Sequence, residues 1–486
     1  MSSEAVASKE EKPLPVYKVP GPSPSLPLVG TTWIYYPFIG RYTLENLHRA
    51  NVDKYFRYGK ICKEEFVWGR PLIQVFDPDD IEKVLRNQGK FPLRPQNEAA
   101  VMFRKSRPEL YSSVGLVNSA GEEWHRLRSG LVGFIVKPGV VTDFAIHQNA
   151  ICDDLIQLLV DSSHSDGIVD NVMEAFHRMA LESTTMFCLE TRMGCLKGDI
   201  EEGSEAKKMI DASLDLFQAY QSLYYGPPLW KYFTTSAYKK MSDSETTLYQ
   251  IVTKYIAEAK SREQDFDPEA STSMSQLLIN AKDIDPRDIK AGIVDLITAG
   301  IDTTANALVF ALNQLSLNPK VQDKLFQEID GLIGKREATA ADLSSLPYLK
   351  ACVKESFRIS PTIPNIVRIL TDDLVLSGYL IPKGTVIICQ TMVSSMLNDF
   401  VDKADEFLPE RWLPGYPKRC SNYTVQPFGC GPRMCPGRRF AEQEIYLMLI
   451  KLIQKFRIEY VKELERQYLF IITPKSPVTF KFIPRT

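Results

Sequence analysis

Phe428-Gly-Cys-Gly-Pro-Arg-Met-Cys-Pro-Gly437 is the stretch on which the fold turns. Glycines at 429, 431 and 437 let a backbone come close to a flat ligand that side chains would hold away. The apolar spacing predicts a helix from about Arg438 to Phe456. Cys435 sits just ahead of it, where the helix dipole and free N–H groups favour thiolate over thiol. The plainer alternative is a small buried thiol in a Gly/Pro turn.

Working upstream, Pro409-Glu-Arg-Trp412 lies in a proline-rich coil from Phe407 to Pro427. Before it comes Glu355-Ser-Phe-Arg358, whose i,i+3 spacing puts both charges on one helix face. Leu349, Cys352 and Val353 make that helix half-buried, which argues against a solvated ion pair. Further upstream, Pro286 to Leu317 reads as one long helix, apolar nearly all round, that runs through the middle of a large protein. In its centre stands Ala299-Gly-Ile-Asp-Thr-Thr304. There a small residue beside Gly300 would let the helix open locally, Thr303 can bond a carbonyl one turn back, and Asp302 can act as a general acid. Trp124-His-Arg-Leu-Arg128 and Arg368 complete the set.

Taken in this order, the motifs resemble those of the cytochrome P-450 superfamily, the haem-thiolate monooxygenases, from about Pro20 to the chain end. The loop at 428–437 is similar to the family's F-x-x-G-x-R-x-C-x-G, Ala299–Thr304 to its oxygen-activation motif, and 409–412 to its P-E-R-F/W element. The resemblance implies a mainly α fold: a large helical domain around the long helix, with a small β-rich lobe. It implies haem b on the Cys435 thiolate, with Phe428 in the same loop and Arg433, Trp124, Arg128 and Arg368 as propionate contacts. Thiolate ligation pushes electron density to iron and favours O–O cleavage. Asp302 and Thr303 would be the catalytic pair, and Glu355, Arg358 and Arg411 a buried structural network. Pro436 departs from the pattern, which more often has an aliphatic residue there, and removes an N–H beside the sulfur. Cys430 falls at a free position and is not expected to be the ligand.

Elsewhere the pattern predicts an extended Pro-rich lead-in over 1–40, then one domain over 41–486. It predicts a helix from Thr43 (as N-cap) to Tyr58, strands at Ile61–Trp68 and Leu72–Phe76, and a helix capped by Asp77. Helices dominate from Asp143 to Ile333. Strands are expected at Ile366–Leu370, Leu374–Leu376, Val386–Gln390, Tyr468–Ile472 and Val478–Ile483. Across 486 residues the net charge is -2, which gives no reason to expect nucleic-acid binding. Nine cysteines, odd in number and irregularly spaced, point to a reducing compartment. The histidines at 48, 147, 164 and 177 look isolated, and His125 looks superficial.

Lys350 and Lys354 precede Glu355 on one helix. In the mitochondrial-type animal branch, basic residues there dock an adrenodoxin-like [2Fe–2S] ferredoxin served by its reductase. Arg438, Arg439, Lys451 and Lys455 would extend that face. No apolar stretch looks long enough to span a bilayer, and the polar start shows neither a signal nor a presequence. The expectation is a monomer held peripherally on the matrix side of the mitochondrial inner membrane, with a cytoplasmic protein as the alternative. Phe38–Tyr42, Leu47–Tyr55 and Arg104–Pro108 resemble the arthropod ecdysteroid side-chain hydroxylases, closest to the 22-hydroxylase (disembodied) type. That implies O2 and a lipophilic sterol as substrates. Sterol contacts are expected from Ala100–Val117, near Thr298, after Pro361 and at Ile471–Thr473. The alternatives are another lipophilic substrate, a haem-thiolate isomerase or dehydratase, or a haem sensor without turnover.

Overall fold

The computed structural model describes residues 12–67, 69–135, 137–261 and 284–485. Leader residues Glu4, Glu10 and Glu11, Trp68, and positions 262–283 of the expected helical region lie outside the described residues. After a lead-in whose Leu14–Pro15 pairs parallel with Tyr379–Leu380, the chain forms α1 (Leu47–Tyr58), the hairpin β1 (Ile61–Val67) and β2 (Arg70–Val75), and α2 (Pro78–Arg86). Asp77 caps α2 by accepting the Asp79 N–H at 2.9 Å, with Pro78 in the first turn. Thr43 does not cap α1, because a tight turn at Leu44–Asn46 intervenes and the Asn46 amide donates to the Thr43 hydroxyl instead.

A helical stretch follows: α3 (Glu98–Lys105), α4 (Gly115–Asn118), α5 (Gly121–Ile135), α6 (Pro138–Asp143), α7 (Ala145–Asp161), α8 (Val172–Leu189), α9 (Glu205–Tyr225) and α10 (Ser236–Ser261). The long helix is α11, Pro286–Leu317, with the bounds read from the sequence. Asp285 caps it through the Arg287 N–H at 2.8 Å, and it stops at Asn318 before Pro319. After it come α12 (Pro319–Leu332), α13 (Pro347–Ile359), α14 (Thr391–Ser395) and α15 (Arg438–Lys455).

Helix α11 is long and apolar enough by composition to cross a membrane, contrary to the expectation that no stretch was, but 72% of that window is buried inside the protein. Its first half packs Ile293, Ile297 and Ile301 into a core shared with α5, α9 and α10. Its second half packs Leu308, Val309 and Leu312 against α7, α8, α12, α13 and α15. Gly300 sits between the two halves, and a Cβ there would stand 2.4 Å from Thr184 Cγ2 on α8. The helix stays continuous through Ala299–Thr304, so glycine serves close approach to α8 rather than local opening.

The β-structure is a set of small sheets. β3 (Ile366–Ile369) and β4 (Val386–Cys389) extend the first hairpin into four strands in the order β1-β2-β4-β3. The β2–β4 pairing is parallel and the other two are antiparallel. Residues 468–472 do not form one strand: Phe470, at φ 68, turns the chain between Arg466–Leu469 and Ile471–Pro474, which pair antiparallel. This tip reaches the cavity described below.

A buried network fixes the coil that leads to the Cys435 loop. Glu355 and Arg358 are fully buried, as is Arg411 but for 5% of its surface. Glu355 Oε1 accepts from Arg358 Nη2 at 2.8 Å, Arg411 Nε at 2.9 Å and the Leu408 N–H at 3.0 Å. Its Oε2 accepts from Arg358 Nε at 3.0 Å and Trp412 Nε1 at 2.8 Å. The remaining guanidine N–H groups reach the carbonyls of Ser395, Asp402, Lys403, Ala404 and Glu406. Arg358→Leu should therefore lower stability by about 3–5 kcal/mol, read as a fall in Tm, because it leaves Glu355 with one guanidinium instead of two and strands the carbonyls of Ser395, Ala404 and Glu406.

Glu444 on α15 is also buried, and neither oxygen closes a hydrogen bond. Burial pushes its pKa up to about 8, with the Ser183 hydroxyl pulling the other way. The folded state thus holds this proton more tightly than the unfolded chain does. Its contribution to stability is full below the unfolded value near 4.5 and is lost as pH rises through about 8. Glu444→Gln stays neutral, so its Tm relative to the parent should rise between pH 5 and pH 8.

Candidate active site

A cavity of ≈ 590 Å³ opens between α11 and the Cys435 loop. Cys435, Phe428, Trp124, Arg128, Arg368, Arg433 and Thr303 all line it. The Cys435 N–H bonds the Phe428 carbonyl at 2.9 Å and closes the loop. Burial raises the thiol pKa, while the Gly437 N–H, Arg128 and Arg438 pull it down. The N–H that faces sulfur therefore comes from Gly437, so the donor missing at Pro436 is bypassed. Cys430 does not line the cavity; it packs beside Ile366 and Cys389 in the β-lobe core.

Four guanidinium groups stand around this space, and none has a carboxylate within ion-pair distance among the described residues: Arg94, Arg128, Arg368 and Arg433. Arg433 stacks 4.1 Å from the Trp124 ring, and its Nε and Nη2 donate to the carbonyls of Pro92 and Ser119 at 3.0 and 2.8 Å. Its Nη1 is buried with no partner. Arg128 reaches the Met434 carbonyl at 2.8 Å, and Arg368 is held by Gln88 at 2.6 Å. Burial, then mutual repulsion, lowers Arg433 to about 9 and Arg94 to about 10. Gathered cations without anions call for an anionic ligand. A Cβ at Gly429, Gly431 or Gly437 would meet nothing within 4 Å, so the loop's open face can take a flat group. These residues fit haem: Cys435 would offer a sulfur ligand, and the arginines would face two propionates. Arg94 and Gln88 escaped the sequence reading, since neither belongs to a recognisable motif.

Thr303 faces the cavity, and its hydroxyl donates to the Ala299 carbonyl at 2.6 Å. Asp302, expected as a general acid that relays protons, does not line the cavity. It is buried on another side of α11, with Oδ1 3.1 Å from His177 Nε2 and Oδ2 accepting from the Ser213 hydroxyl at 3.3 Å. His177 is therefore not isolated. Thr298 is also turned away from the cavity, its hydroxyl buried without a partner. The other expected substrate segments contribute Leu116, Val117, Thr362, Ile366 and Ile471 to the wall.

Lys354 is exposed, with Nζ 4.1 Å from the Trp412 ring. Lys350 reaches the Ser344 carbonyl at 3.5 Å. Lys451 does not extend a basic face, because it is buried and paired with Asp153 at 2.7 Å and Glu337 at 3.6 Å. Arg438 is tied to Glu442 at 3.0 Å.

The family model for cytochrome P450 matches residues 20–482. Ecdysone 20-monooxygenase of Drosophila melanogaster is 36% identical, over 97% of this chain and 89% of that protein. From the same organism, probable cytochrome P450 301a1, mitochondrial, is 30% identical over 98% of the chain and 88% of its own, and cytochrome P450 302a1, mitochondrial, 29% over 96% and 94%. A match that runs nearly from end to end, around a cavity with a cysteine at its floor, leaves one assignment: the chain belongs to the cytochrome P450 family, monooxygenases that carry haem on a cysteine thiolate.

Proposed function

We propose that Cys435 is the thiolate that holds haem b, and that the chain hydroxylates an ecdysteroid-type sterol with dioxygen and electrons from a [2Fe–2S] ferredoxin. The observation that carries this is one cavity in which Cys435 and Thr303 line opposed elements while four uncompensated arginines wait for anions. Bound haem supplies the activation of dioxygen and the attack on an unactivated C–H bond. The protein's own residues do the rest. Arg128, Arg368, Arg433 and Trp124 seat the propionate edge. Thr303 presents its oxygen to the cavity because its proton is engaged by Ala299. Asp302, behind it, is paired with the buried His177 rather than placed on the cavity wall.

The wall of the cavity is mostly apolar, with Phe66, Leu72, Phe217, Phe470 and Ile471 among its residues, which suits a sterol. The ecdysteroid relative is named for position 20, whereas the sequence reading leaned to position 22. These are bonded neighbours on a sterol side chain, so both bring the same end of the molecule to Thr303. Mitochondrial relatives and the exposed Lys354 support ferredoxin as donor and a mitochondrial site. Phe38, Ile39, Tyr232 and Phe233 are exposed apolar side chains that support peripheral contact with a membrane by a monomer.

Two measurements test this reading. Reduced protein with carbon monoxide should give the red-shifted Soret band of thiolate ligation, and Cys435→Ala should lose it. An unshifted band in the parent protein would overturn the assignment. With ferredoxin, reductase and ecdysone, the product should gain one oxygen. Lys350→Glu with Lys354→Glu should raise the ferredoxin concentration for half-maximal reduction at least about tenfold, with the carbon monoxide spectrum unchanged.

A further inference from the structure

The cavity has a second polar feature, at the end remote from the reacting carbon. Asp295, Leu296, Ala299, Gly300 and Thr303 of α11 line one wall. Asp295 lies eight residues before Thr303, about 12 Å along the helix axis at about 1.5 Å per residue. That is the order of length of a rigid four-ring sterol nucleus.

The Asp295 carboxylate is clamped from behind. Its Oδ1 accepts from Arg104 Nη2 at 2.6 Å, and its Oδ2 lies 3.4 Å from Nη1. Arg104 is buried and gives the same Nη2 to Glu245, at 3.0 and 3.1 Å from its two oxygens. One guanidinium thus serves two carboxylates. The hydroxyls of Tyr111 and Tyr220 face Glu245, at 3.5 and 3.4 Å, and neither faces Asp295. The cluster therefore has spare acceptor capacity on the side of Asp295. Gly115, at φ +81, makes room for it: a Cβ there would stand 2.0 Å from Arg104 Nη1 and 3.0 Å from Asp295 Oδ2.

A second polar group, unpaired, lines the same cavity. Gly115 and Asn118 share α4, and the Asn118 side chain accepts the Asn97 N–H at 3.0 Å. Asn97 lines the same cavity. Its Oδ1 caps α3 through the Ala100 N–H at 3.2 Å, while its Nδ2 is buried with no acceptor. An acceptor without enough donors and a donor without an acceptor are both satisfied by hydroxyl groups. Leaving such groups unpaired against a ligand is unfavourable, which is how a site rejects an analogue that lacks the hydroxyl.

We propose that Asp295 is a specificity-determining residue: it accepts a hydrogen bond from a ring hydroxyl of a polyhydroxylated sterol, at the end away from the carbon presented to Thr303, with Asn97 donating into the same cavity. This rests on the sterol reading above and adds to it the group that selects among sterols. If Asp295 only anchored Arg104, its replacement would weaken every ligand alike.

The test is equilibrium dialysis of the haem-loaded protein with radiolabelled ecdysone and its 2-deoxy and 3-deoxy counterparts. The parent protein should bind ecdysone at least about tenfold more tightly than one of the deoxy sterols. Asp295→Asn should erase that ratio and leave the affinity for that deoxy sterol within about threefold. Asn97→Asp, which keeps the capping oxygen and loses the amide donor, is the second variant and should weaken ecdysone selectively if Asp295→Asn does not fold. Equal affinity of the parent protein for all three, or a uniform loss in the variants, would overturn the assignment alone. Binding of none of the three would overturn the sterol reading and this assignment with it.

Discussion

Everything on the cysteine side of the cavity hangs on one buried carboxylate. Glu355 accepts five hydrogen bonds, from two guanidinium groups, an indole and a backbone N–H. Two charges on a helix face would be worth little in water. Here Arg358 and Arg411 also bind the carbonyls of residues 395–406, a stretch with little regular structure of its own to satisfy them. The network therefore substitutes for secondary structure. It holds Trp412 and the coil beyond, and through them the Cys435 loop, at a fixed distance from α11. A hydrophobic cluster of equal volume could fill the space but could not terminate those carbonyls.

The opposite electrostatic arrangement surrounds the cavity. Arg94, Arg128, Arg368 and Arg433 are brought together with no acidic side chain at ion-pair distance among the described residues, and each is lowered by burial. Carbonyls orient them but do not neutralise them. Such a site is unfavourable in the empty protein and becomes favourable when anions arrive, which couples ligand binding to stability. The two clusters divide the labour: the self-satisfied one builds the scaffold, and the unsatisfied one is kept for a cofactor.

Motifs made of neighbouring residues were legible in the sequence, because their chemistry is local. The bounds of α11 are those the sequence predicts, and Glu355, Arg358 and Arg411 meet in one buried cluster. What failed depended on neighbours distant in sequence. Lys451 reads as one more surface cation until Asp153 and Glu337 are brought beside it. Strand-like 468–472 is a hairpin tip, since Phe470 takes a left-handed backbone angle that an apolar run does not reveal. Gly300 reads as a weak point in a helix, yet its role is set by Thr184 of another helix. Arg94 and Asp295 carry no motif at all.

Asp302 and Asp295 show why position along a helix does not by itself assign a chemical role. They are seven residues apart, so on an ideal helix they differ by only about 20° in facing. Both stand at the same edge of the stripe that Ala299 and Thr303 turn to the cavity. What separates them is the cover each receives. Near Asp302, α8 and α9 close over the edge and supply His177 and Ser213, so that carboxylate is withdrawn from the cavity. Near Asp295, the cover is α3 and the side-chain-free Gly115, which let Arg104 hold the carboxylate from behind and leave 11% of it exposed on the cavity wall. The acid placed in the recognisable motif is thus the one shielded from substrate, and the acid outside any motif is the one in a position to read it.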